Sequence, residues 1–184
     1  MIIGVSGPNG AGKGAVVETL ASLGFSVHSL SDVIRQTLAE RGLTETRERM
    51  IEIGRELRAK GGTAALAEAL ADQLDPTANC AVDSIRHPAE VEALRRQHTG
   101  FQLVWVDAPM PLRFERMLVR ARPGDPATLE EMADFERRER RSTEEAGQQL
   151  GAVEQLADAR LDNSGDVAAL REAVRRLLGS GDSD

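Results

Sequence analysis

The stretch Gly7-Pro8-Asn9-Gly10-Ala11-Gly12-Lys13-Gly14 follows a short apolar run and leads straight into a helical pattern. That order of strand, loop and helix is the setting a phosphate-cradling loop requires. Glycines let the backbone turn so that successive N–H groups point inward at an anion, and the positive end of the following helix adds its attraction. Lys13 brings a mobile charge to the β- and γ-phosphates. A plain glycine-rich turn with a solvated lysine shares the composition but not the agreement of spacing with context. Gly7, Asn9, Gly10, Ala11, Gly12, Lys13, Gly14 and Ala15 are therefore the expected contacts to ATP. One departure stands out. A hydroxyl residue usually follows the lysine and helps hold Mg²⁺, but here Gly14 and Ala15 follow. Either the metal is held through water by a carboxylate such as Asp83 or Asp107, or turnover is weak.

Beyond the loop, β-type runs over 1–6, 25–29, 80–83, 101–107 and 159–162 alternate with helical patterns. The helices are expected over 14–23, 32–41, 47–60, 64–74, 89–96, 111–120, 129–149 and 167–178. Such alternation predicts a parallel sheet covered on both faces, and the nearly unbroken apolar runs 1–6 and 101–107 suit central strands. A chain of 184 residues supports one domain, expected over 1–178 with a frayed tail over 179–184. No apolar stretch approaches the ~18 residues of a membrane span. The opening Met1-Ile2-Ile3-Gly4-Val5 lacks a secretory pattern, so the cytoplasm is the expected location. The single cysteine, Cys80, reads as a small core residue. A net charge of −7 provides no field that draws the chain onto nucleic acid. Any phosphate site must be local, and the sequence assigns no oligomeric state.

Asp32 opens a helix after the second strand, with Arg35 one turn on, and both suit an acceptor site beside the loop. Capping and surface roles suit them equally well. Asp83 and Arg86 leave the third strand at the edge that carries the loop, where Asp83 reaches Mg²⁺ through water and Arg86 a substrate phosphate. Arg55 and Arg58 share a helical face and form either a second arm of the acceptor pocket or ordinary solvated charges. Between Arg113 and Arg141 lie eight arginines, expected in a lid that closes on the nucleotide. Seven acidic residues share that stretch and are able to pair with most of them, which leaves Arg116, Arg120 and Arg122 as the lid's functional candidates.

These stretches together resemble the adenylate kinase and dephospho-CoA kinase branch of P-loop kinases. More narrowly, the chain is similar to the nucleoside monophosphate kinase-like, dephospho-CoA kinase-related group whose domain also occurs fused to deoxycytidylate deaminases. The resemblance runs through Gly7 to Gly14, Ser31 to Arg35, Ile53 to Arg58, Asp83 to Pro88, Val106 to Pro109, Leu112 to Arg116, Gly124 to Pro126 and Asp162 to Gly165. It implies a three-layer P-loop NTPase fold with a five-stranded parallel sheet in the order 2-3-1-4-5 and a helical lid over about 113–141. It also implies acceptor helices over about 31–75, acceptor contacts at Arg35 and Arg86, lid arginines from Arg116 to Arg122, and Asn163 to Gly165 beside the adenine. The expected activity is transfer of the γ-phosphoryl group of ATP, with Mg²⁺, to a small-molecule nucleotide acceptor, a nucleoside or deoxynucleoside monophosphate. Two alternatives stay open. One is a hydroxyl acceptor, as in dephospho-CoA or a hydroxymethylpyrimidine in nucleotide or DNA form, with Asp32 as base; the other is an ATP-binding sensor or partner domain with little turnover.

Overall fold

The computed structural model describes residues 1–122, 124–141 and 147–179, with the backbone alone over 139–141. β1 (Ile2–Ser6) leads into α1 (Lys13–Ser22), β2 (Ser26–Ser29), α2 (Leu30–Glu40), α3 (Arg47–Gly61) and α4 (Ala65–Ala71). There follow β3 (Cys80–Asp83), α5 (Pro88–Gln97), β4 (Phe101–Asp107), α6 (Met110–Arg120), α7 (Leu129–Arg141), α8 (Leu150–Gln155), β5 (Ala159–Asp162) and α9 (Val167–Gly179). The strands make one sheet in the order β2-β3-β1-β4-β5, and every pairing is parallel. Both the topology and the order match expectation.

Alternation along the strands builds the three layers. Ile3, Val5, Ala81, Val104 and Val106 pack with Val16 and Leu20 of α1 and with Leu170 and Val174 of α9. Ile2, Cys80, Val82, Leu103 and Trp105 pack with residues of α2 to α5 and with Leu150 and Val153 of α8. Each fully buried Leu or Ile contributes about 1.5–3 kcal/mol of apolar transfer, so two such layers account for most of the drive to fold. Cys80 is a buried free thiol, as its apolar surroundings in the sequence imply. No described helix is long and apolar enough to cross a membrane.

Two boundaries differ from expectation for local reasons. α2 begins at Leu30 because the Ser29 hydroxyl accepts from the Ser31 N–H at 3.3 Å, which caps the helix two residues early. The helix expected over 129–149 does not reach Gln149, and α8, which begins at Leu150, is a helix the sequence did not predict. α7 ends at Arg141, residues 142–146 lie outside the described part, and the Gln149 N–H donates to the Arg86 carbonyl at 2.9 Å ahead of α8. That bond commits Gln149 to the loop after β3 instead of to a helix. The tail over 180–184 also lies outside the described residues.

Because the sheet is parallel, Ser6, Ser29, Asp83, Asp107 and Asp162 all end strands at one edge. The chain moves outward in one direction from β1 to reach β2 and β3, and in the other to reach β4 and β5. A crevice therefore opens off the end of β1.

Candidate active site

The glycine loop fills that crevice. Gly7 has φ 145°, and a Cβ there would stand 2.1 Å from the Val106 carbonyl oxygen. Gly12, at φ 94°, caps α1, and a Cβ on it would meet the Asn163 Nδ2 at 2.1 Å. Both positions exclude any side chain, on conformation and on space. The Lys13 ammonium folds back and donates to the carbonyls of Gly7 and Pro8 at 2.8 and 2.9 Å. It thus sits within the turn of the loop, at the N-terminus of α1.

Two long-range braces hold this shape. Asn163, buried at the end of β5, donates its amide to the Ala11 carbonyl at 2.8 Å, and its own carbonyl accepts from Arg116 Nη2 at 3.0 Å. Arg113, buried on α6, donates to the carbonyls of Asn9 at 3.0 Å and Ala108 at 2.7 Å and pairs with the buried Glu136 of α7. Glu136 and the bracing role of Arg113 escape sequence reading, because acidic and basic residues alternate through that whole region.

Around the loop, buried polar atoms lie without hydrogen-bond partners among the described residues. Asp83 Oδ1, Arg86 Nη1 and Arg116 Nη1 are three of them. Arg116 Nη1 lies 4.0 Å from the place a Cβ on Gly12 would occupy. Orphaned buried donors and acceptors are rare in folded proteins and are satisfied by water, an ion or a ligand. A glycine loop at a helix N-terminus, a lysine and two guanidinium groups fit a polyphosphate. Among the described residues no three His, Cys, Asp or Glu side chains cluster into a protein-only metal site. Asp83, with one oxygen to spare, fits a cation that arrives on the phosphates. Asp107 accepts from the Ala108 N–H at 2.8 Å and stays half exposed.

Next to the loop lies a cavity of about 710 Å³ whose walls include Asn9, Ser84, Arg86, Arg120 and Arg122 on one side. Leu30, Ile34, Met50, Ile51 and Leu66 supply an apolar wall. Arg120 pairs with Asp125 at 3.1 Å, and Arg47 reaches the same carboxylate at 3.4 Å while its guanidinium stacks 3.9 Å over the Phe135 ring. Asp125, just past α6, is thereby joined to the first turn of α3. Pro123, two residues before Asp125, lies outside the described residues.

The structure does not bring every expected residue to the cavity. Asp32 and Arg35 pair with each other at 2.7 Å, and Arg35 also bonds Glu45 at 3.2 Å. Neither is part of the cavity wall, and the Asp32 side chain is 64% exposed. Arg55 is exposed on α3, away from the wall. Arg58 does border the cavity, yet its Nε and Nη2 bond Glu90 Oε1 at 3.0 and 2.7 Å in a buried ion pair. Glu90 Oε2 accepts the backbone N–H groups of Arg86 and His87, at 2.8 and 3.0 Å. His87, Pro88 and Glu90 form a capping box on α5. That pattern is visible in the sequence and signals Glu90 as the anchor of the Arg86 turn. Gly165 is exposed in the turn before α9, and Gly14 and Ala15 open α1.

A family model described as an AAA domain matches residues 3–154. A UPF0200 protein of Aeropyrum pernix is 33% identical over 179 residues, which cover 96% of this chain and 91% of that protein. A UPF0200/UPF0201 protein of Archaeoglobus fulgidus is 33% identical over 173 residues, 91% of this chain, which spans only 52% of that longer relative. Among solved structures, a shikimate kinase from Acinetobacter baumannii superposes with a TM-score of 0.60 at 18% identity, covering 100% of this chain and 95% of the other. A gluconokinase from Sinorhizobium meliloti gives 0.54 at 16% identity, with 97% and 93% covered. At these identities the likeness is one of fold, that of the P-loop kinases.

Proposed function

The chain belongs to the UPF0200 family, which carries a P-loop kinase-like domain, and from that premise we propose that it transfers the γ-phosphoryl group of ATP to a nucleoside or deoxynucleoside monophosphate. The observation that carries the acceptor reading is the cavity beside the loop, which Arg86, Arg120 and Arg122 line together with Leu30, Ile34, Met50, Ile51 and Leu66. Arginines suit a phosphate, and an apolar wall suits a planar base.

In this reading the loop N–H groups and Lys13 hold the β- and γ-phosphates of ATP, and Arg116 spans the loop and the Asn163 turn beside the nucleotide. Arg86 orients the acceptor phosphate, and Arg120 and Arg122 neutralise charge on the group in transfer. The acceptor oxygen forms its bond to the γ-phosphorus as the bond to the leaving ADP oxygen breaks. That acceptor oxygen is already ionised, so no proton must be removed, and positioning with charge neutralisation carries the catalysis. Mg²⁺, when bound, neutralises charge on the phosphate oxygens, and Asp83 is the residue that would hold it through water.

A hydroxyl acceptor, as the names of the shikimate kinase and gluconokinase suggest for those proteins, requires a base within reach of the hydroxyl. Asp32, exposed and paired with Arg35, lies off the cavity wall, and this favours the monophosphate. The deciding assay is ADP release over ribo- and deoxynucleoside monophosphates, dephospho-CoA, shikimate and gluconate. With the best acceptor, Arg86→Lys is expected to raise the acceptor KM about tenfold or more, through loss of the planar fork. Asp32→Asn is expected to leave kcat nearly unchanged. A loss of about 10²–10⁴-fold in kcat for Asp32→Asn overturns the monophosphate reading in favour of a hydroxyl. Tight ATP binding without turnover on any acceptor overturns both in favour of a sensor.

A further inference from the structure

Ser84 follows Asp83 off the end of β3 and holds φ at 67°. That left-handed conformation strains a residue with a side chain and leaves glycine unstrained. Among the described residues, Ala121 is the one other non-glycine with positive φ, and it caps the C-terminus of α6. Helices commonly end that way. No helix ends at Ser84. Its Oγ instead accepts from Ser29 Oγ at 3.1 Å and faces Asp83 Oδ2 at 3.4 Å. Ser29 is in register with Asp83 across the β2–β3 pair, and Ser84 borders the cavity beside Arg86. Hydrogen bonds in catalytic sites are often long before the ligand arrives. Strain at such a place is kept where the surrounding structure over-determines it and function uses it.

We infer that Ser84 is a positioning residue of the phosphoryl-transfer site, whose hydroxyl, oriented by Ser29, fixes one oxygen of Asp83 and leaves Oδ1 for the cation that accompanies ATP. The inference rests on the phosphotransferase reading above. It accounts for a loop without a hydroxyl at Gly14 or Ala15: the cation is held from the β3 side, by a carboxylate whose orientation a neighbouring hydroxyl sets. Glycine would hold the same backbone without strain but would leave that carboxylate free to rotate.

The test is calorimetric titration of the full chain with ATP, with and without Mg²⁺, for the wild type, Ser84→Gly and Ser84→Ala, alongside thermal melting. Ser84→Gly relieves the strain and is expected to melt at or above the wild type, so a loss of binding there does not come from unfolding. Ser84→Ala keeps the strain and removes only the hydroxyl. Both are expected to weaken the Mg²⁺-dependent part of ATP affinity about 10–100-fold, the range for removing a group that orients a metal-binding carboxylate, with metal-free ATP affinity unchanged. Unchanged Mg²⁺ dependence in either variant overturns the inference. So does a wild type that binds ATP equally well with and without Mg²⁺. Absence of turnover on every acceptor sinks the phosphotransferase reading and leaves Ser84 as a positioning residue of an ATP-binding site, because this comparison reads binding and not activity.

Discussion

Glu90→Gln is the substitution for which the geometry gives the sharpest number. The Glu90 side chain is 0% exposed, and its two oxygens take Arg58 Nε and Nη2 on one side and the N–H groups of Arg86 and His87 on the other. Glutamine keeps the shape but turns one acceptor into a donor. Either Arg58 or the pair of backbone N–H groups then faces an N–H, and the buried guanidinium loses its counter-charge. Breaking a buried ion pair from one side costs about 3–5 kcal/mol. In a chain of this size each kcal/mol moves Tm by about 2–4 °C, so Tm is expected to fall by about 6–20 °C. Against a total of about 5–15 kcal/mol, such a loss removes from about a fifth to all of the stability. Since Oε2 also fixes the Arg86 backbone, the acceptor KM is expected to rise more than the KM for ATP. Circular-dichroism melts at pH 7 and two-substrate kinetics read both effects. A Tm within about 2 °C of the wild type refutes the reasoning, because it means the pair contributes under about 1 kcal/mol.

Gly12→Ala places a methyl 2.1 Å from the Asn163 amide at a backbone φ of 94° and is expected to abolish ATP binding in calorimetry. Gly14→Ala meets nothing within 4 Å and sits in α1, so it is expected to preserve binding and stabilise the helix by about 0.5–1 kcal/mol, read by denaturant melts. The Glu56 carboxylate, bridged by Arg41 and Lys60, is held down from the ordinary 4.5 to about 2. Its folded value is depressed, so its stabilisation is fully present above pH 4.5 and is lost as pH falls toward 2. Glu56→Gln is expected to flatten the dependence of Tm on pH across that window, with variant and wild type converging below pH 2.

The strands were legible because β1 and β4 are nearly unbroken apolar runs, while all five strands end in a polar residue that parallel order puts on one edge. The loop was legible because glycine spacing and helix onset agree. What lay hidden was the destination of charged side chains. Arg58 and Glu90 are 32 residues apart, and nothing in helical spacing pairs them. Asp32 and Arg35 fit an acceptor site and a surface ion pair equally on sequence, and their exposure favours the latter. Arg113 reads as one lid arginine of eight, yet it is buried and holds Asn9. Ser84 gave no signal at all, since φ is not written in residue type unless the residue is glycine.

The amide of Asn163 bonds the carbonyl of Ala11 across 152 positions of chain. The motif that looks self-contained in the sequence is therefore braced by a residue just past β5, far along the chain. During synthesis the glycine loop leaves the ribosome long before β5 exists to brace it, and a nascent or truncated chain carries the loop's residues without its cradle. The loop near the start of the chain and the turn after β5 are thus one structural unit, although 152 positions separate them.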